Sequence, residues 1–147
     1  MTRFLVDATS NRLVSYLRFC GHDAASAVER GIETDDEALA TARAEGRTLV
    51  TRDAALARRA DGIRVAQGDL NDRLRSLRAA GVDLTLAERP SRCGRCNGPL
   101  AELAPDEPVP DYAPDGETFE RWRCRDCGQV FWKGRHWDRV RERLAEL

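Results

Sequence analysis

Lysine is almost missing from this chain of 147 residues: Lys133 is the only one, and the other basic side chains are arginines. Excess charge of either sign is missing too, because 24 basic residues face 25 acidic ones. A protein that holds nucleic acid by bulk charge alone is strongly basic, so that mode is excluded. The arginines still offer planar forks that fit phosphate. Long apolar runs are also lacking. No stretch approaches the roughly 20 apolar residues needed to span a bilayer. Residues 1–7 show no extended apolar region before a cleavage site. The expectation is a soluble, cytoplasmic protein without a membrane partner. Its length suits one domain, or a compact domain with a small accessory module. No internal repeat is present.

What the sequence does have is five cysteines. In an intracellular chain they argue for metal rather than disulfides. Cys20 stands apart on a predicted helix and reads as a small buried apolar residue. The other four form two knuckles, Cys93-Gly94-Arg95-Cys96 and Cys124-Arg125-Asp126-Cys127-Gly128. Two such knuckles a few tens of residues apart are a strong zinc signature. Four thiolates fill a tetrahedral shell and leave no position for water, so the predicted role of Zn2+ is structural. A redox dithiol pair is the competing reading, and two matched knuckles argue against it. Gly94 and Gly128 are expected to relieve backbone strain in the tight turns. His136 is the only histidine near this module; with the shell full, it is expected to face solvent or RNA.

Upstream of about residue 90, strand-like and helix-like segments alternate. Phe4-Leu5-Val6 reads as a strand ending at Asp7. Leu13, Val14, Leu17 and Phe19-Cys20 have helical spacing within residues 10–20, and Gly21 is a stop. Residues 24–28 form a weak second strand. Thr34 and Glu37 make a capping-box pattern ahead of Ala38, Leu39 and Ala42, and Gly46 ends that helix. Residues 48–51 read as a buried strand, 53–60 as helix and 63–65 as a fourth strand. Leu70, Leu74 and Leu77 mark a fourth helix ended by Gly81. Residues 82–86 are a fifth strand or a linker. Such alternation implies an α/β fold with a parallel sheet between two helical layers. After Pro90 the pattern breaks. Residues 104–116 read as an exposed, proline- and acid-rich excursion, and residues 137–147 as a final helix. The predicted division is 1–88 for the α/β unit and 89–147 for a zinc ribbon with that helix.

Asp7 and Asp53 each follow a strand of the parallel sheet, which places both at its carboxyl edge, where open α/β sheets bind ligands. Asp36, in the first turn of a capped helix, is within reach of the same edge. Three gathered carboxylates repel one another unless they hold a divalent cation. Mg2+ or Mn2+ held there would orient a phosphodiester and activate water. Thr51 is placed to bond a carboxylate or a metal-bound water, and Arg52 to contact phosphate. Each acid also has a plainer reading: Asp7 as a loop residue, Asp36 as a partner of the helix dipole worth about 0.3–1 kcal/mol, Asp53 as an N-cap.

Four stretches, Phe4–Ala8, Leu17–Asp23, Asp36–Leu39 and Gly46–Asp53, resemble a PIN-like ribonuclease. The C-terminal pattern, Arg92–Leu100 with Trp122-Arg123-Cys124 and Phe131–Trp137, is similar to the Mut-seven-C type, a PIN-like RNase domain carrying a zinc ribbon. The resemblance spans nearly the whole chain. It implies a metal-dependent endoribonuclease with acidic ligands at Asp7, Asp36 and Asp53, and leaves Asp69 and Asp72 as alternatives for a fourth. One departure is Thr9-Ser10-Asn11, where a more apolar, glycine-containing entry to the first helix is expected.

Aromatics interleaved with cations suit single-stranded RNA, since rings stack on bases and cations meet phosphate. Trp132, Lys133, Arg135, His136 and Trp137 are the predicted contacts beside Arg52. The competing reading puts Phe131 and one tryptophan in the ribbon's small core. Arg12 and Arg18 are candidates for lining the cleft. A phospho-acceptor receiver is excluded, because Asp7 has no acidic neighbour and the lone lysine lies in the ribbon. A haloacid-type phosphatase would need an aspartate where Thr9 stands. The remaining alternatives are a non-catalytic RNA- or protein-binding adaptor and the toxin of a toxin–antitoxin pair.

Overall fold

The computed structural model describes residues 2–147. Its first half is a sheet of four parallel strands in the order β2-β1-β3-β4, with β1 Arg3–Val6, β2 Asp23–Ser26, β3 Thr48–Thr51 and β4 Ile63–Arg64. Successive side chains of a strand point to opposite faces, and β1 shows the consequence. Phe4 and Val6 enter one core with Leu13 and Leu17 of α1 (Leu13–Phe19) and Leu74 and Leu77 of α4 (Leu70–Ala79). Leu5 faces the other way, with Leu49, against Ala38 and Ala42 of α2 (Asp35–Glu45) and Leu56 of α3 (Ala54–Ala60). The predicted three layers are present.

The caps explain the helix ends. Thr34 accepts from the Glu37 N–H at the start of α2, and Gly46 closes it with φ +63°, a left-handed conformation that costs glycine little. Some boundaries differ from those expected. A 3-10 turn, Ala8–Ser10, precedes α1, so the helix begins three residues later than the apolar spacing implied. Residues 82–86 form no strand; they cross the core as a linker, with Val82 and Leu84 buried.

The ribbon is an antiparallel sheet in the order β5-β6-β7, with β5 Leu100–Glu102, β6 Arg121–Cys124 and β7 Val130–Trp132. The excursion over 104–116 is largely exposed but anchored. Arg121 donates to the carbonyls of Ala104, Pro105 and Pro114, and the Tyr112 hydroxyl accepts from the Val130 N–H. The last helix, α5 (Arg135–Ala145), leaves the ribbon and returns to the first core. Trp137, Val140 and Leu144 pack there, and Arg78 donates to the carbonyls of Leu144 and Leu147. The apolar face of α5 therefore belongs to the α/β unit, although the helix follows the ribbon in the chain.

Candidate functional site

At the carboxyl edge, Asp7 and Asp53 are joined through one hydroxyl. Thr51 is fully buried; its Oγ1 donates to Asp7 Oδ2 and accepts from the Asp53 N–H at 3.0 Å. The other oxygen of Asp7 accepts from the Thr9 hydroxyl at 2.6 Å and the Thr9 N–H at 3.1 Å. Thr9 also accepts from the Arg52 N–H, which ties the turn after β1 to the turn after β3. The unexpected Thr9-Ser10-Asn11 entry thus supplies the donor that fixes Asp7. Asp53 does cap α3, through Oδ1 to the Ala55 and Leu56 N–H groups, and no protein donor meets its Oδ2 among the described residues.

Asp36 does not join this pair. Its side chain is 86% exposed and its carboxylate meets Arg59 of α3 at 2.8 Å. Among the described residues, the four cysteines are the only set of three or more potential ligands whose donor atoms converge. Asp69 and Asp72 both serve α4 in a reciprocal capping box, and Asp72 also pairs with Arg75. The Arg52 carbonyl accepts from Gln67, and its buried Nε has no partner.

The thiol quartet fits zinc. A tetrahedron with Zn–S bonds of about 2.3 Å has edges of about 3.8 Å; Cys93 and Cys127 lie 3.7 Å apart at sulfur, Cys96 and Cys124 3.4 Å. Backbone N–H groups of Gly98, Asp126 and Cys127 point at these sulfurs from 3.4 Å. Burial pushes the Cys93 thiol up. Burial works the same way on Cys124, but the N–H groups of Cys127 and Asp126 outweigh it and bring that thiol down to about 7. Four thiolates in contact need a dication to coexist, and Zn2+ bound by this set would be closed to substrate.

The glycines differ in their reasons. Gly128 has φ +79°, as expected of a strained turn. Gly94 has no positive φ; a Cβ there would meet the Phe19 ring at 2.9 Å. Gly98 lets the chain pass Cys124 Sγ, which a Cβ would approach to 2.8 Å.

The ribbon docks on the amino edge of the sheet. Asn97, at φ +73°, accepts from the Ala24 N–H and donates to Asp23 at the start of β2. Asp23 also takes Arg47 at 2.7 Å and Arg3 at 3.2 Å. Burial opposes its charge, but the hydrogen bonds from Arg47, Asn97 and Arg3 outweigh that and hold the carboxyl well below the usual range. Arg18 is buried and donates to the carbonyls of Ala24 and Gly94 and to Glu29, so it secures the first knuckle instead of lining a cleft. Arg12 is exposed at the start of α1. The carboxylate pair and the ribbon therefore sit at opposite ends of strands four residues long, roughly 13 Å of rise.

A family model described as the Mut7-C RNAse domain matches residues 2–144. The chain belongs to this family. Neither a curated protein nor a solved structure matches it. Membership supports nuclease activity with RNA as the substrate class.

In this Mut7-C domain the predicted RNA contacts separate into two kinds. Trp137 is 6% exposed, packs edge-to-face on Phe19 and belongs to the core, so it offers no face to a base. Lys133 donates to the Glu88 carbonyl and lies 5.7 Å over the Trp137 ring. Trp132 is half-buried and stacks on Tyr112. Arg135 and His136 are exposed, with no hydrogen bond or ion pair among the described residues. The buried aromatic of the ribbon sheet is Trp122, while Phe131 is only partly covered. Sequence assigned Arg18 to a cleft and noted Thr9 as a departure at the helix entry, while Asp23 and Asn97 were given no role. An Asn-Gly dipeptide is a turn signal, and Asn97-Gly98 is the signal that could have drawn attention to Asn97.

Proposed function

We propose that this Mut7-C RNAse domain is a PIN-like, metal-dependent endoribonuclease whose reaction centre is the carboxyl edge at Asp7 and Asp53. The observation that carries this is the buried Thr51 hydroxyl that ties the Asp7 carboxylate to the Asp53 backbone at the end of adjacent parallel strands. Carboxylate oxygens match the oxygen chemistry of Mg2+ or Mn2+. Such a cation, when bound, would supply positive charge to a scissile phosphodiester. Thr9 and Thr51 hold both Asp7 oxygens in place, and Asp53 keeps one oxygen that no described protein donor meets. Arg52, between Thr51 and Asp53 in the chain, is the proposed phosphate contact. Asp36 joins the set by leaving Arg59, an exposed pair that solvent screens and that adds little. The ribbon assists by holding RNA away from the cut, since it lies at the other end of the strands. The cytoplasm is the proposed location.

The test is cleavage of a mixed single-stranded RNA pool with and without Mn2+. Asp53→Asn keeps an N-cap of equal quality, and Asp7→Asn keeps an acceptor for Thr9. Both variants should therefore fold and lose metal-dependent cleavage. Normal cleavage by both would place the reaction elsewhere. A second reading, a non-catalytic RNA-binding adaptor, is favoured by the pairing of Asp36 with Arg59. It predicts RNA binding with no cleavage by the unaltered chain under either metal.

A further inference from the structure

Between the ribbon and the α1/α5 corner lies a cleft of about 330 Å³ that the carboxyl-edge reaction does not use. Its walls are aromatic, from Phe19, Phe131 and Trp132, and its rim carries Arg92, Arg135 and His136. No carboxylate lines it, in a chain where a third of the residues are charged. Its volume is at the small end of the range for ligand pockets.

We infer that this cleft is an exosite that takes one unstacked nucleotide of a single-stranded RNA, its base against Phe131 and Trp132 and its phosphate on Arg135. The inference rests on the ribonuclease reading and adds where the strand is held. Three further observations support it. The guanidinium of Arg135 has no protein partner among the described residues, while Arg92 is already engaged with Asn97 and Asp23. The helix α5 opens at the cleft with Gly134 as an N-cap that has no side-chain bond, so its first N–H groups are free for an anion. Trp137 lines the cleft, is 6% exposed, and has an indole N–H without a partner. An apolar slot with an unpaired guanidinium and no acids is complementary to a base and its phosphate.

Because the cleft lies towards the amino edge and the cut at the carboxyl edge, one strand must bridge at least the roughly 13 Å length of a β-strand. At about 3.4 Å per nucleotide a stacked strand covers that length with about four nucleotides, and an extended strand covers it with fewer.

Binding is read by anisotropy of a labelled single-stranded RNA of about twelve nucleotides, within the usual range of single-strand site sizes, on the zinc-loaded chain without added Mg2+ or Mn2+. Arg135→Glu should weaken binding and lower the salt slope by about one. Trp132→Ala should lower affinity roughly 5- to 150-fold, with Trp132→Phe retaining most of it. Zinc content is measured in each variant, so that a lost ribbon is not mistaken for a lost contact. Unchanged affinity, within about twofold, for both Arg135→Glu and Trp132→Ala at full zinc content overturns the proposal. So does a photo-crosslink from 5-iodouridine RNA that maps only to the carboxyl edge. Binding is read without the divalent cation that cleavage is expected to need, so the two assays report separately. Failure of the cleavage reading therefore shows in the cut, and failure of this one in the binding.

Discussion

Replacing Asp23 with alanine tests how the ribbon is joined to the sheet. The carboxylate is 12% exposed at the side chain, and its principal partner, Arg47, is 5% exposed. Removing one member of a buried pair costs about 3–5 kcal/mol, because the other charge is left without compensation. Arg47 would keep Glu45 at 2.8 Å and the Phe4 carbonyl at 3.2 Å, which argues for the lower end, about 3 kcal/mol. For a chain of this size each kcal/mol moves Tm by about 2–4 °C, so the expected loss is roughly 6–12 °C. Asp23 is held well below its ordinary value of 3.8, so its contribution is complete above about pH 4 and disappears as the pH falls below that. The gap between wild type and Asp23→Ala should therefore be constant near neutrality and close in acid. Thermal melts across pH, with Arg59→Ala as an exposed-pair control, make the measurement. If Asp23→Ala melts no lower than Arg59→Ala, the docking argument is refuted.

Three further substitutions have expected outcomes. Trp137→Ala should cost about 3–5 kcal/mol in urea denaturation, as truncation of a buried aromatic does. A loss under 1 kcal/mol would mean that α5 is not part of the core. Gly94→Ala forces a methyl onto the packed Phe19 ring, so a melt lowered by an overpacking cost of about 1–3 kcal/mol is expected; a gain in Tm would contradict it. Thr51→Val keeps the shape but removes the hydroxyl shared by Asp7 and Asp53. About 1–3 kcal/mol of stability should go, together with most of the metal-dependent cleavage, at unchanged zinc content. Full cleavage by Thr51→Val would show that the hydroxyl does not position the acids.

Much of the architecture was legible because it is written locally. The unbroken apolar run Phe4-Leu5-Val6 marks a buried strand, Thr34 and Gly46 mark the ends of α2, and two CxxC knuckles declare their ligand set. What was not legible depends on partners far along the chain. Arg18 looks like any helix-surface arginine until Gly94, more than seventy positions away, brings its carbonyl to it. Asp36 has the composition of a ligand and of a surface acid alike, and Arg59 captures it. Trp137 stands in a run of cations and aromatics that resembles an RNA surface. Yet the spacing of Trp137, Val140 and Leu144 is that of an apolar helix face, and packing decided between the two. Periodicity tells which faces are apolar; it does not tell which edge of a sheet a second module will choose.

The return of α5 to the first core leaves the zinc module tethered at both ends. A ribbon hung from a single connection could swing or melt by itself. Here the Pro90 side is held by Asn97 and Arg18, and the far side by a helix sealed under Phe19. Pulling out the ion should thus loosen the whole molecule in one cooperative step, and calorimetry should record a single peak instead of two.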